Sequence, residues 1–239
     1  MSKPERHELP ALSKALENQP LEEVLRWAVA TYHPKIAMAT AFGAEGCVIL
    51  HCLAQIRPPI YIFNLDTGYQ FPETLETRRR LMNRYGLEIH LVQAELSVAS
   101  MEEKYGGPIY HRQPDLCCHI RKIQPLVKTL EGFDAWISSI RRDQTPERAQ
   151  ASLVEWDQRF GLVKINPLLH WTQEQVWQFI RQHDIPYNPL HDQGYPSIGC
   201  WPCTRPVQPG EEARAGRWPG LDKTECGLHQ RYGPLDHSP

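Results

Sequence analysis

IAMATAFGAEGCVILHCLAQIRPPIYIFNL, residues 36–65, contains three apolar segments of different character. Ile36 to Phe42 is a short apolar run that ends at Gly43, and Ala44 to Ile56 has the length and spacing of a helix. Ile60 to Leu65 is almost continuously apolar, which is typical of a strand covered on both faces. The stretch therefore predicts a strand, a turn, a helix and a second strand of a parallel sheet.

The same alternation extends to both sides of this stretch. A helix over residues 21–33 precedes it, and a capping-box pattern at Thr172 and Gln175 begins a late helix. Between them the pattern predicts a helix and three strands, at Pro72 to Arg84, Glu88 to Val92, Ala135 to Ile140 and Leu162 to Ile165. We expect an α/β fold, a parallel sheet with helices on both faces, whose ligands bind beyond the carboxyl ends of the strands.

Composition excludes several function classes. The 239 residues carry a formal net charge of -2, so we expect no surface that coats nucleic acid. No run approaches the roughly 20 apolar residues of a membrane helix, and the charged, proline-interrupted start has no secretory signal. These features predict a cytoplasmic protein, in which the seven cysteines are ligands and reactive groups rather than disulfides.

Four cysteines form two close pairs. Cys117 and Cys118 are adjacent, and Cys200 and Cys203 form a C-x-x-C pattern. Their number suits a zinc ion or an iron-sulfur cluster. Neighbouring side chains on a helix diverge, which favours several irons over one zinc ion, although buried apolar cysteines remain an alternative. Cys47 and Cys52, in contrast, lie in an apolar helix and are expected in the core.

A lone cysteine follows in an irregular, proline-rich and glycine-rich segment that starts near Pro196. Cys226 lies in TECGLHQ, and the preceding RAGRW supplies Arg214 and Arg217. Nearby cations lower the pKa of a thiol and produce the nucleophilic thiolate, and they also neutralise an anionic substrate. The competing interpretation is an incidental surface cysteine.

Further polar residues follow the predicted strands. The stretch ATAFGAEG joins the first strand to a helix and suits a phosphate, although any tight turn needs glycine. Asp66 follows the next strand, and two roles suit it: accepting a hydrogen bond from a ribose or purine, or capping the turn. Arg141 and Arg142 end a later strand, as phosphate ligands or as a solvated pair, and Lys122 lies about one helical turn beyond Cys118.

Taken together, the chain resembles the adenylyl sulfate (APS) and phosphoadenylyl sulfate (PAPS) reductase family from about Ile36 to His229. The resemblance implies an adenine nucleotide alpha-hydrolase-like fold with a modified pyrophosphate loop. It also implies that a cysteine thiolate attacks the sulfate sulfur, AMP leaves, and thioredoxin releases sulfite from an enzyme S-sulfocysteine. Eight segments carry it: ATAFGAEG, LDTGYQFPET, DLCCHIRKIQPL, SSIRRDQTPERA, NPLLHWTQEQVWQFI, IPYNPLHDQGYPSIGC, RAGRW and ECGLH.

The resemblance also implies roles for individual residues. Cys226 and His229 match the catalytic positions, and the two cysteine pairs match the ligands of a four-iron, four-sulfur (4Fe-4S) cluster. The positions that match substrate contacts are Lys122, Arg141, Arg142, Arg214, Arg217, Phe42, Gly43 and Asp66. Residues 1–205 would then form the nucleotide-binding, cluster-carrying reductase domain, and residues 206–239 the tail with the nucleophile.

Both cysteine pairs are present, so the chain resembles the APS branch, with PAPS reduction as the alternative. No redox domain follows ECGLH, which implies external thioredoxin; glutaredoxin and a homo-oligomer stay open. Two rival interpretations are an ATP-dependent thiolase of the same fold and a non-catalytic redox or metal sensor. The thiolase should show an S-G-G-x-D-S loop, where this chain has ATAFGAEG.

Overall fold

A central six-stranded sheet organises the computed structural model, which describes residues 2–228. The strand order is β3-β2-β1-β4-β6-β5, and every neighbouring pair is parallel except β5 and β6. The strands are β1 (Ile36–Ala39), β2 (Tyr61–Asp66), β3 (His90–Gln93), β4 (Ala135–Ile137), β5 (Val154–Asp157) and β6 (Leu162–Ile165).

The helices connect successive strands and flank the sheet. A single π-helical turn, His119–Ile123, lies between the sixth and seventh of them. The α-helices are α1 (Leu9–Leu16), α2 (Leu21–Tyr32), α3 (Ala44–Ile56), α4 (Pro72–Tyr85), α5 (Val98–Tyr105), α6 (Pro114–Cys118), α7 (Gln124–Leu130), α8 (Pro146–Ala149) and α9 (Gln173–Gln182). Among residues 2–228, no helix has both the length and the apolar character needed to cross a bilayer.

Apolar side chains of the sheet alternate between two cores. In β1, Ile36 and Met38 belong to the larger core with α2, α3 and α9, whereas Ala37 faces the second core with α7. Trp136 of β4 also faces the second core, and it is 1% exposed. Both faces of the sheet are thus covered, which confirms the predicted α/β class and explains the continuous apolar strands.

One edge of the sheet differs from the expectation. The sequence pattern did not predict β5, which pairs antiparallel with β6 through Val154 and Ile165. Only residues 158–161 separate the two strands, and so short a loop cannot cross over to make a parallel pair. The sheet is therefore parallel over five strands, with one antiparallel edge strand.

The strand order places a crevice between β1 and β4. The chain moves from β1 outward through β2 and β3, then returns to the other side of β1 with β4. Connections on the two sides of this point leave the sheet in opposite directions, which opens a gap at the carboxyl ends of the strands. We expect the ligand site at this gap.

Candidate functional site

A cavity of about 790 Å³ lies at the carboxyl ends of β1, β2 and β4. This volume is in the range of pockets that hold a small ligand such as a nucleotide. The cavity wall includes most of the residues singled out in the sequence, although they come from distant segments. They are Gly43, Lys122, Arg141, Arg142, Cys200, Arg214, Arg217 and Cys226.

The turn after β1 forms one end of this cavity. Phe42 has a left-handed backbone, with φ of 57°, and its side chain is fully buried in the larger core, so its ring does not line the cavity. Its N–H donates to Thr40 Oγ1 at 3.1 Å. Gly43 is the N-cap of α3, which has no side-chain cap. Backbone amides at the start of α3 are thus available to an anion, as at other helix N-termini.

Glu45, which the sequence reasoning did not single out, lies in the first turn of α3 and pairs with the buried guanidinium of Arg141. Asp143 Oδ1 also accepts from Arg141 Nε at 2.9 Å. Arg142 differs, because its Nε and Nη2 donate to Ala151 O at 3.2 and 3.1 Å. Both arginines line the cavity, and each is held there by protein acceptors.

Asp66, like Phe42, is a predicted substrate contact that lies outside the cavity wall. Its Oδ1 accepts from Gly68 N at 3.0 Å, and its Oδ2 accepts from Gln93 Nε2 at 2.9 Å. The carboxylate therefore caps the turn after β2 and ties it to β3. His229, predicted as catalytic, lies outside the described residues.

The two cysteine pairs lie together beside the cavity. Cys117 and Cys118 end α6, immediately before the π-helical turn. Cys200 caps the start of a short 3₁₀-helix, Trp201–Cys203, and Cys203 is its last residue. All four line one small second pocket, and none is in a disulfide. Cys118, Cys200 and Cys203 pack in one cluster with Trp218 and Tyr110, and Cys117 packs in a neighbouring cluster that also contains Tyr110. The fold thus brings together Cys118 and Cys200, which are 82 positions apart in the chain.

The chemistry of these four thiols fits an iron-sulfur cluster. Burial raises the pKa of Cys117 to about 12 and that of Cys203 to about 11, and the neighbouring thiols add to both shifts. Several thiolates crowded in one buried place need cationic metal to be stable together. Within residues 2–228, no three Cys, His, Asp or Glu side chains converge tightly enough for one metal ion. A cubane instead spreads its irons among the ligands.

Cys226 faces the same region from the tail. It packs against the side chains of Cys118, Cys203 and Trp218 and is partly buried. Burial is the largest influence on the pKa of Cys226 and raises it, and Glu225 raises it further. Lys122, the backbone hydrogen bond from Leu228 and Arg217 together outweigh both, so the pKa of Cys226 lies below its ordinary value. Lys122 is affected in the opposite sense: burial lowers its pKa, but the negative charge of nearby thiolates gives a net increase. The pair therefore favours a thiolate beside an ammonium group.

Two arginines complete the cationic wall. Arg217 stacks on Trp218, with its Cζ atom 4.5 Å from the ring centroid, and its Nη1 donates to Ser197 Oγ at 3.2 Å. Arg214 Nη2 donates to Thr224 O at 2.8 Å, and burial lowers the pKa of Arg214 to about 10, which leaves it cationic at neutral pH. The Nε atom of each is buried without a hydrogen-bond partner among residues 2–228. Both guanidinium groups therefore retain donors for an anion.

Two residues that the sequence reasoning did not single out fix the tail. Arg148, in the short helix α8, forms a two-point ion pair with Glu225, the residue before the cysteine. Glu225 also accepts from Thr145 Oγ1 at 3.2 Å. No local sequence signal could have linked positions 148 and 225, because the pairing depends entirely on the tertiary fold.

Comparisons with known proteins find similar sequences along most of this chain. The family model described as "Phosphoadenosine phosphosulfate reductase domain" matches residues 35–206. Adenosine 5'-phosphosulfate reductase of Halalkalibacterium halodurans is 48% identical over 220 residues, which are 92% of this chain and 95% of that protein. Adenosine 5'-phosphosulfate reductase 2 of Bacillus subtilis is 50% identical over 222 residues, covering 92% and 94% of the two chains.

A solved structure is also similar along most of its length. The crystal structure of phosphoadenylyl-sulfate (PAPS) reductase from Candida auris, in a phosphate complex, superposes with a TM-score of 0.76 at 30% identity. The match covers 85% of this chain and 98% of that one.

Proposed function

The chain belongs to the phosphoadenosine phosphosulfate reductase family, and from this we propose that it reduces adenylyl sulfate to sulfite and AMP in sulfate assimilation. One observation carries the proposal: Cys226 opens onto a nucleotide-sized cavity at the point where Lys122, Arg214 and Arg217 converge. A thiolate and a sulfate group repel each other, so they can meet only where cations neutralise both.

The chemistry follows from these positions. The Cys226 thiolate attacks the sulfate sulfur, an S–S bond forms, and the S–O bond to AMP breaks, so the electron pair leaves on the AMP phosphate. Arg214 and Arg217 hold the sulfate oxygens, while Lys122 stabilises the thiolate before attack. His229 is proposed to act beside Cys226, as the family resemblance implies. The turn around Gly43, with Arg141 and Arg142, would hold the nucleotide.

Sulfite is then released by an external dithiol, which we propose to be thioredoxin. Its first thiolate attacks Cys226 Sγ and displaces sulfite, and its second thiol resolves the mixed disulfide. Two electrons pass from two thiols to sulfur, so no other reductant is needed. Residues 206–239 contain no second cysteine, and Cys118 and Cys203, which pack against Cys226, are assigned to the cluster, so we propose that the resolving thiol comes from another protein.

Cys117, Cys118, Cys200 and Cys203 are proposed to hold a 4Fe-4S cluster. When bound, the cluster would supply a fixed charge centre that orients Lys122 and tunes the local field. Thiol ligands of this kind require a reducing compartment, so the proposal also places the enzyme in the cytoplasm. The presence of both pairs is the reason to favour APS over PAPS as substrate.

Side-by-side turnover of the two nucleotides with reduced thioredoxin tests this function. The proposal expects AMP and sulfite in equal amounts from APS, and slower release of sulfite from PAPS. Absence of sulfite with either nucleotide would contradict reductase activity and favour a redox or metal sensor. Faster turnover of PAPS would retain the reductase but reverse the substrate assignment.

A further inference from the structure

We propose that Glu225, through its buried ion pair with Arg148, is a positioning residue that holds Cys226 at the cavity. The chemical role of Cys226 in this inference rests on the proposed function, whereas the contacts that hold Glu225 do not depend on it. It assigns a role to an acidic residue that lies beside the cations Lys122, Arg214 and Arg217.

The carboxylate of Glu225 is unusually well held. Its side chain is 1% exposed, and Arg148 contacts both oxygens, with Nε to Oε1 at 2.7 Å and Nη2 to Oε2 at 3.0 Å. Arg214 Nη2 lies 3.4 Å from Oε2. Two parallel N–H donors fix the orientation of a carboxylate as well as its position. The backbone at residue 225 therefore has little freedom to move.

The residues on the other side of Cys226 are held as well. Arg159, in the loop between β5 and β6, donates through Nη1 to Gly227 O. Leu228 packs on the second core of the sheet. Cys226 is thus the middle residue of a short segment whose neighbours are fastened to separate parts of the main domain.

The negative charge of Glu225 is unexpected next to a nucleophilic thiolate. A carboxylate beside the nucleophile opposes formation of the thiolate and repels an anionic substrate. Its direct electrostatic effect on the reaction is therefore unfavourable. The benefit is geometric: a buried charged pair with a rigid two-point geometry fixes the position of the sulfur, and about 1 Å of misplacement can cost roughly 100-fold in rate.

Three variants of the full-length, anaerobically prepared holoenzyme test the proposal. Glu225→Gln keeps the shape of the side chain but removes its charge. It also places an amide NH₂ group, a hydrogen-bond donor, against the N–H donors of Arg148. Glu225→Asp keeps the charge on a shorter side chain. Glu211→Gln is the matched control, because Glu211 also pairs with an arginine at two points in the tail, at 2.7 and 2.8 Å, but is exposed and outside the cavity wall.

The measurements are APS affinity, the single-turnover rate at which labelled APS sulfonates Cys226, and tryptic cleavage of the Lys223–Thr224 bond without substrate. We expect Glu225→Gln to sulfonate roughly 100-fold more slowly, to bind APS no more weakly, and to be cleaved faster, with partial recovery in Glu225→Asp. Glu211→Gln should match the wild type.

Two results would overturn the proposal. In one, Glu225→Gln sulfonates at the wild-type rate with its tail still protected. In the other, it loses APS affinity, cluster iron and thermal stability together, as a general structural defect would. If the wild type itself forms no adduct, the proposed function fails, but proteolysis still decides: cleavage of Glu225→Gln at the wild-type rate refutes the positioning role, and faster cleavage supports it.

Discussion

Gly199→Ala gives a quantitative test of the cationic wall. A Cβ atom at position 199 would lie 2.6 Å from Arg217 Cζ and 3.0 Å from Arg217 Nε. The guanidinium would have to retreat by about 1 Å to regain ordinary van der Waals contact. The backbone at Gly199 is not left-handed, so alanine introduces no strain of its own. Within the protein, the steric effect of the added methyl group therefore falls first on Arg217.

The expected effect follows from what that arginine does. A hydrogen bond to a charged group contributes about 1.5–3 kcal/mol, so its loss should lower kcat/KM for APS by roughly 10-fold to 100-fold. The assay is thioredoxin-coupled sulfite release, with the thermal midpoint and iron content measured in parallel. Both of these should stay at wild-type values, since the fold does not depend on this contact.

A double variant separates this cause from direct obstruction of the cavity, because Gly199 is itself in its wall. In an Arg217→Ala background the Gly199→Ala substitution should have almost no further effect. If the methyl group instead blocked the substrate, the loss would be equally large in both backgrounds. Unchanged kcat/KM in the single variant would refute the assigned role of Arg217.

Other predictions follow from the same site. Lys122→Met should raise the pKa of Cys226, because Lys122 opposes the effect of burial on that pKa. Less thiolate then forms near neutral pH, and the pH profile of Cys226 sulfonation moves to higher pH. An unchanged pH profile would show that Lys122 does not control the pKa of Cys226. Cys118→Ser should lose bound iron and sulfide, measured chemically on anaerobic protein. The control variant Cys52→Ser, in the apolar helix α3, should retain both. Equal iron and sulfide contents in the two variants would argue against Cys118 as a ligand. Glu45→Gln should weaken nucleotide affinity by roughly 10-fold, because it removes the charged contact that orients Arg141. The rate of Cys226 alkylation should change little. An unaltered Kd for AMP would show that Arg141 does not contact the nucleotide.

The parts of the fold that were predictable are those with a local cause. The bounds of α3, Ala44–Ile56, follow from the sequence because Gly43 and the following Arg57–Pro58 region end the helical pattern. β6 is a compact apolar run and was predicted at its observed bounds. β5 was not, since VEWD mixes polar and apolar residues and lies at an edge, where only one face needs to be buried.

The site divides in a similar way. Residue type and motif pointed to Cys226, Lys122 and the arginines, because thiolates and anions require cations. Asp66 illustrates the limit: a carboxylate after a strand suits either a ribose or a turn, and only the hydrogen bonds to Gly68 and Gln93 distinguish these outcomes. The pairing of Glu225 with Arg148 has no sequence signature at all, since it exists only once the tail is folded against α8.

In the proposed reaction one sulfur of the tail, that of Cys226, receives the sulfonate group directly from the nucleotide. Anaerobic protein incubated with labelled APS in the absence of any thiol, then digested and analysed by mass spectrometry, tests this most directly. We expect one added SO₃ group on the peptide containing Cys226, with release of one AMP per adduct. Label on any other residue, or AMP released without an adduct, would contradict it.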